Sequence, residues 1–305
     1  MPRIGYLKRD AGPSGTDEAF RQGLRDLGWI EGQNIAIEYR WAAHRMDHVP
    51  ALAEDLVRLK VELIVTATQQ VTRDVKNATT TIPIVMMWAG DAVDNGLVAS
   101  LARPGGNITG LSEQYADMNT KLLEVLHDTL PKVTRVAFLW DPDSRVYTAT
   151  FRAAQAVAPA LGLTLQSLEL RHRDRNVKKT AEELEGMLAA AAQKRAGAMV
   201  VMSRLYEAFG QRIAAFSVKN RVPVFSVSSN SVEEYSGLLA YAPDWGDMAR
   251  RAATYVDKIL KGAKPADLPV EQPRKFTLLV NLKTAKQIGV TIPQTVLFRA
   301  DKVIK

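Results

Sequence analysis

Hydroxyls, amides, carboxylates and aromatic rings recur in this sequence directly after short apolar runs. Lys8, Arg9 and Asp10 follow RIGYL; Thr66, Ala67, Thr68 and Gln69 follow LIV; Trp88, Ala89, Gly90 and Asp91 follow IPIVMM; Ser112, Glu113 and Gln114 follow NITGL. The pattern returns with Asp141-Pro142-Asp143-Ser144, Ser203-Arg204, Ser228-Ser229-Asn230 and Tyr241-Ala242-Pro243-Asp244-Trp245. Hydrogen-bonding groups beside aromatic walls suit a small polar ligand with an apolar body. The same Ser, Thr, Asp and Asn types are also good helix N-caps. Each position alone reads first as a cap; the ensemble reads as a binding set.

Reaction chemistry has less to stand on. Asp141 and Asp143 are a pair of acids that could exchange protons, or cap a helix, or accept a hydrogen bond from an ammonium group. The chain has four histidines, at 44, 48, 127 and 172. His44 and His48 have the spacing of a zinc helix, yet Arg45 stands where a metalloprotease carries its general-base Glu, and no third ligand is apparent. GxGxxG, GxxxxGK[ST] and GxSxG do not occur, so the dinucleotide, phosphate-loop and nucleophile-elbow signatures are missing. With no cysteine there is no disulfide framework, thiolate zinc site or thiol nucleophile. Neither a cofactor nor a metal is expected, and neither is catalysis.

The elements that must position these loops alternate. Apolar runs of four to seven residues are separated by amphipathic segments of about ten to fifteen, the pattern of parallel strands covered by helices on both faces. RIGYL leads to a helix with Phe20, Leu24 and Leu27 on one face and Gly28 past its end. IAIEYR, a helix with Leu52, Leu56 and Leu59, LIVTAT, a helix over 69–79, IPIVMMW and NITGLS complete one doubly wound half. RVAFLWD, a helix over 146–161, LTLQSLEL, a helix with Leu184, Met187, Leu188 and Ala191, AMVVMS, a helix over 205–220, VPVFSVS and GLLAYAP repeat that order. IPIVMMW and VPVFSVS are the fourth strand of each half, with Pro83 and Pro223 at strand starts, where a missing N–H costs no ladder bond. A helix over 245–261 stops at Gly262, GAKPADLP connects, FTLLVN is a last strand, and LKTAKQIG is a closing helix. RHRDRNVKK, residues 171–179, reads as an exposed loop.

The totals agree with two cores. A chain of 305 residues exceeds the usual size of one domain. Its 47% hydrophobic and 24% charged residues are ordinary for globular proteins. The net charge of +7 is spread along the chain without the aromatic-laced basic cluster of a nucleic-acid binder, so no nucleic-acid partner is expected. No run approaches the ~18 apolar residues of a membrane helix. MPRIGYL reads as a strand rather than an export signal, so an exported protein would carry its signal upstream.

The segments VASLARPGGNITGLS (98–112), RVAFLWDPDS (135–144), WGDMARRAATYVDKILKGAKPADLPVEQP (245–273) and NLKTAKQIGVTIPQTVLFRADKVI (281–304) resemble the TrpX-like family of ABC-transporter substrate-binding proteins. The likeness covers nearly the whole chain and is most specific in LARPGGNITG and in the NLKTAK tail. It implies an α/β type I periplasmic-binding-protein fold: two Rossmann-like lobes, a multi-crossing hinge and an inter-lobe ligand cleft. The expected lobes are 1–111 plus 244–269 and 112–243 plus 270–305. The resemblance implies an extracytoplasmic solute-binding protein, periplasmic or lipid-anchored. Such a protein captures a small organic solute by hinge closure, works as a monomer, and delivers its ligand to the membrane permease subunits of an ABC importer.

Aromatic amino acids are the first ligand class that the resemblance implies, with aromatic or aliphatic carboxylates as the alternative. The loop KRDAGPSGTDEA departs from the His-Pro loop of the amino-acid-binding members. Position by position, the resemblance carries to Thr68 and Gln69, Asp91, Asp141 and Ser144, and Asp244. With the strand-end pattern, the candidate binding set is Arg9, Thr68, Gln69, Trp88, Asp91, Ser112, Asp141, Ser144, Ser203, Ser228, Tyr241 and Asp244. A ligand carboxylate would meet hydroxyls and helix N–H groups near Thr68 and Ser112. An ammonium would meet Asp91 or Asp244, and a ring would lie on Trp88 or Tyr241. Two other classes compete: the effector domain of a transcription regulator, which would need a helix-turn-helix headpiece before the first strand, and a two-domain enzyme using Asp91 and Asp141.

Overall fold

The computed structural model describes residues 1–171 and 177–305. The chain divides into two compact units, Met1–Gln114 with Asp244–Lys275, and Tyr115–Pro243 with Phe276–Lys305. Compared with the lobes expected from the sequence, residues 112–114 and 270–275 belong to the first unit. Backbone bonds explain the shift: the Val270 N–H donates to the Leu101 carbonyl (2.7 Å), Glu271 to Gly110 (2.9 Å) and Ser112 to Glu271 (2.8 Å).

In the first unit the order is β1 (Arg3–Lys8), α1 (Gly15–Asp26), β2 (Ala36–Trp41), α2 (Val49–Arg58), β3 (Leu63–Ala67), α3 (Gln69–Ala78), β4 (Ile84–Trp88) and β5 (Ile108–Gly110). These strands form one parallel sheet in the order β2-β1-β3-β4-β5. Side chains alternate along each strand and so build two cores. Ile4 and Tyr6 join Phe20 and Leu24 on one face, while Leu7 joins Val49, Leu56 and Val71 on the other. Leu27, expected on the packed face of α1, lies past the helix end and is 37% exposed, because Gly28 takes a left-handed conformation and turns the chain away.

The second unit continues with α4 (Tyr115–Thr129), β6 (Arg135–Trp140), α5 (Arg145–Val157), β7 (Thr164–Glu169), α6 (Val177–Gln193), β8 (Ala198–Val201), α7 (Ser203–Asn220), β9 (Val224–Ser226), α8 (Asn230–Glu233) and β10 (Leu239–Pro243). Its strands run β7-β6-β8-β9-β10, the same winding as the first sheet. The duplicated Pro-containing strands occupy equivalent places. Pro83 accepts from the Ile64 N–H (2.8 Å) and Pro223 from the Met199 N–H (2.9 Å), so each proline uses its carbonyl where it lacks a donor. Val136, Phe138 and Trp140 feed one core of this unit and Ala137 and Leu139 the other.

Two strands extend the second sheet. After α9 (Trp245–Leu260), which belongs to the first unit, β11 (Phe276–Asn281) pairs antiparallel with β10. Then α10 (Leu282–Ile288) and α11 (Gln294–Arg299) lead to β12 (Lys302–Ile304), parallel to β11. The last-strand expectation for FTLLVN thus gains a successor, β12, too short to give a periodic signal. The exposed-loop expectation for 171–179 is corrected at its end: Val177 already opens α6, and residues 172–176 lie outside the described residues. Among the described residues no helix is long and apolar enough to cross a membrane.

Candidate functional site

In the first unit the carboxyl ends of β1, β3 and β4 carry the densest polar and aromatic grouping. Ile4, Tyr6 and Lys8 share one face of β1, so the strand pleat that buries Tyr6 also buries Lys8, which is 3% exposed. Its ammonium reaches Asp17 Oδ1 at 3.0 Å, Asp10 Oδ2 at 3.0 Å, Ser14 Oγ at 3.2 Å and Thr16 Oγ1 at 3.3 Å. Asp17, in the first turn of α1, also accepts from the Ser14 N–H (2.6 Å), from Ser14 Oγ (2.7 Å) and from the Tyr6 hydroxyl.

Electrostatics follow from this packing. Burial alone would push the Asp17 carboxyl up, but the bonds from Ser14 and Tyr6 and the charge of Lys8 outweigh it and hold it below the usual carboxylate value. Tyr6 goes the other way. Burial and then the Asp17 charge raise its hydroxyl well above the ordinary phenol value.

Thr68 stands between β3 and α3. Its backbone has φ 74° and ψ 149°, close to a region normally left to glycine, and its N–H donates to the Trp88 carbonyl at 2.9 Å. Its hydroxyl oxygen is buried and makes no hydrogen bond. Beside it, Trp88 meets Trp245 edge-on with ring centroids 5.5 Å apart, and the Lys8 ammonium lies 5.8 Å from the centre of the Trp88 ring. Trp245 is delivered by α9, more than 150 residues downstream of Trp88.

The other candidates in this unit are bound into local structure. Arg9 is half-buried beside Lys8. Gln69 donates to Asn95 (2.6 Å). Asp91 accepts from the Asp94 N–H (3.2 Å). Ser112 is 1% exposed; its hydroxyl accepts from the Ala92 N–H (2.9 Å) and donates to the Gly90 carbonyl (2.8 Å), a staple holding the chain after β5 to the loop after β4. Asp244 caps α9 through the Asp247 N–H (2.9 Å). Of these, only Asp244 fills the helix-capping role weighed for these residue types; Asp91 closes a turn and Ser112 ties two loops together.

In the second unit Ser144 caps α5, accepting from the Tyr147 N–H (3.3 Å), and Asp141, 4% exposed, accepts from the Asp143 N–H (3.0 Å). Ser203 lies 3.4 Å from both the Tyr115 and Tyr147 hydroxyls, whose rings meet edge-on at 5.8 Å. Ser228 is 9% exposed, and its carbonyl receives the Ser231 hydroxyl (2.6 Å). Tyr241 is not in a loop. It lies within β10 and stacks on Phe276 with centroids 5.2 Å apart, near Lys121 and Arg299, because the strand runs on to Pro243.

The structure thus collects Arg9, Thr68 and Trp88 around strand ends of one unit, gathers Asp141, Ser144, Ser203 and Ser228 at those of the other, and takes Tyr241 elsewhere. Sequence reading missed Lys8 with Asp17, and Tyr115 with Tyr147. The Ser14-x-x-Asp17 spacing is a capping signature that could have marked the first; nothing local marks the second. The zinc-helix spacing of His44 and His48 dissolves, since His44 lies in a turn and His48 ends a short 3-10 helix at Met46–His48. Among the described residues no group of three His, Cys, Asp or Glu is placed to hold a metal.

Comparison with known proteins adds the following. A family model described as ABC transporter substrate binding protein matches residues 11–304. A tyrosine-binding protein of Clostridioides difficile (strain R20291) is 25% identical over 277 residues, covering 90% of this chain and 76% of that protein. Two solved structures share the fold at TM-score 0.86 and 23% identity over 99% of both chains: a conserved domain protein from Vibrio cholerae O1 biovar El Tor, and an ABC domain in complex with L-Trp from Streptococcus pneumonia.

Proposed function

Because this chain belongs to the ABC transporter substrate-binding protein family, we propose that it captures an aromatic amino acid unchanged and hands it to membrane permease subunits. The family binds solutes outside the cytoplasm and is not an enzyme family. The aromatic class rests on a tyrosine-binding relative and a fold neighbour solved with L-Trp, together with one feature of this chain. That feature is the corner where the Trp88–Trp245 pair adjoins Thr68. A strained non-glycine backbone costs about 1–3 kcal/mol, and a buried hydroxyl without a partner costs roughly a further 1–3 kcal/mol. Ligand contact at Thr68 gives that cost a purpose, and the two indoles, set edge-on to each other, supply aromatic surface for a ring.

Thr68 and Trp88 of the candidate set, joined by Trp245, are the contacts proposed in the first unit, and Ser203 of that set, joined by Tyr115 and Tyr147, those in the second. A periplasmic or lipid-anchored location completes the reading. The test is a thermal-shift and calorimetric screen of amino acids and small carboxylates. Ligand at a hundred times its Kd adds about 2.7 kcal/mol, which moves Tm by roughly 4 °C in a chain of this size. The aromatic amino acids should give that shift and be recovered unchanged. A shift from aliphatic carboxylates alone would replace the ligand class, and a chemically converted ligand would overturn the carrier.

A further inference from the structure

We propose that Lys8 is the carboxylate-recognition residue of this site and that Asp10 occupies it as an internal stand-in, to be exchanged for the carboxylate of an arriving ligand. This rests on the reading of Trp88 as the ring wall. An ammonium has three donors, yet Lys8 is surrounded by Ser14, Thr16 and two carboxylates. The two acids are held differently.

Asp17 has a side chain only 2% exposed and is tied to Ser14 and Tyr6 as well, so it stays. Asp10 has a side chain 37% exposed. Its backbone is anchored separately, its carbonyl accepting from the Ala43 N–H at 3.0 Å. The Asp10 carboxylate can therefore swing off Lys8 by side-chain rotation alone. The ammonium itself lies 5.8 Å from the centre of the Trp88 ring. An aromatic amino acid joins ring and carboxylate through one methylene and the α-carbon, so a ring on Trp88 brings its carboxylate toward Lys8. Asp17 remains beneath as the counter-charge that keeps the buried ammonium in place.

The measurement is calorimetric titration of the wild type and Asp10→Asn with L-tryptophan, L-tyrosine, indole-3-acetate, benzoate and tryptamine, the last lacking a carboxylate. Removing the competitor should tighten the carboxylates at least fivefold and leave tryptamine within twofold. Lys8→Gln, checked for folding by circular dichroism, should weaken the carboxylates more than tenfold and spare tryptamine; if it does not fold, the Asp10 arm decides. Wild type binding of tryptophan or tyrosine with no gain in Asp10→Asn overturns the exchange and leaves the aromatic reading standing. Gain for benzoate or indole-3-acetate without amino-acid binding keeps the exchange and overturns the amino-acid ligand. No carboxylate bound by either protein overturns both.

Discussion

Buried charge is where single residues matter most in this molecule. Lys8 and Asp17 are both almost fully buried, and removing one member of such a pair strands the other. Asp17→Asn should therefore cost on the order of 3 kcal/mol at neutral pH, measured by urea unfolding. Because the folded carboxyl lies below its usual value, the unfolded chain binds the extra proton first. The contribution is complete above the unfolded value of about 3.9 and is lost as pH falls through the lower folded value. The stability difference between the wild type and Asp17→Asn should accordingly begin to shrink as pH falls below about 4. Tyr39 works at the alkaline end. Burial, then the charge of Glu31, raises its hydroxyl to about 12, so its contribution is full below about pH 10 and fades as pH climbs from there. In a spectrophotometric titration of the phenolate band, Tyr39→Phe should remove a component with its midpoint near 12.

At the scale of elements, close approach depends on two glycines. A side chain at Gly23 would put Cβ 2.9 Å from the Arg250 carbonyl oxygen and 3.0 Å from Ala253, where α1 crosses α9. Gly23→Val should part the two helices and cost about 1–3 kcal/mol by overpacking. Gly110 has φ +123° in β5, and a Cβ there would overlap the Met86 carbonyl oxygen. Gly110→Ala should be worse, above about 4 kcal/mol, since neither backbone can retreat within a paired sheet. Both differences are read from denaturant midpoints at constant m-value. The elements themselves were legible in the sequence, because doubly buried strands and amphipathic helices leave strong periodic signals. NITGLS and VPVFSVS were recognisable as strands although only three residues of each pair. β12, equally short, carries no such apolar run and went unseen.

Across the whole molecule, chain order and packing part company. The first unit is completed by α9, whose Met248, Ala249, Ala252, Ala253, Tyr255 and Val256 join a core begun by Ile4 and Tyr6. Met248, Tyr255 and Val256 alone contribute roughly 1.5–3 kcal/mol each, a large share of a domain stability of about 5–15 kcal/mol. A chain ended at Pro243 should therefore lose the cooperative unfolding of its first unit, seen by near-ultraviolet circular dichroism, although every strand of that sheet is retained. The sequence by itself determined the two α/β windings, their internal repetition and the polar strand ends, because each is encoded by the period and types of neighbouring residues. Tertiary structure alone decided which polar side chains are spent on capping. It also decided that Lys8 turns inward onto Asp17, and that Trp245 arrives from a distant helix to meet Trp88. Those outcomes depend on contacts between residues far apart in the chain, which no local pattern records.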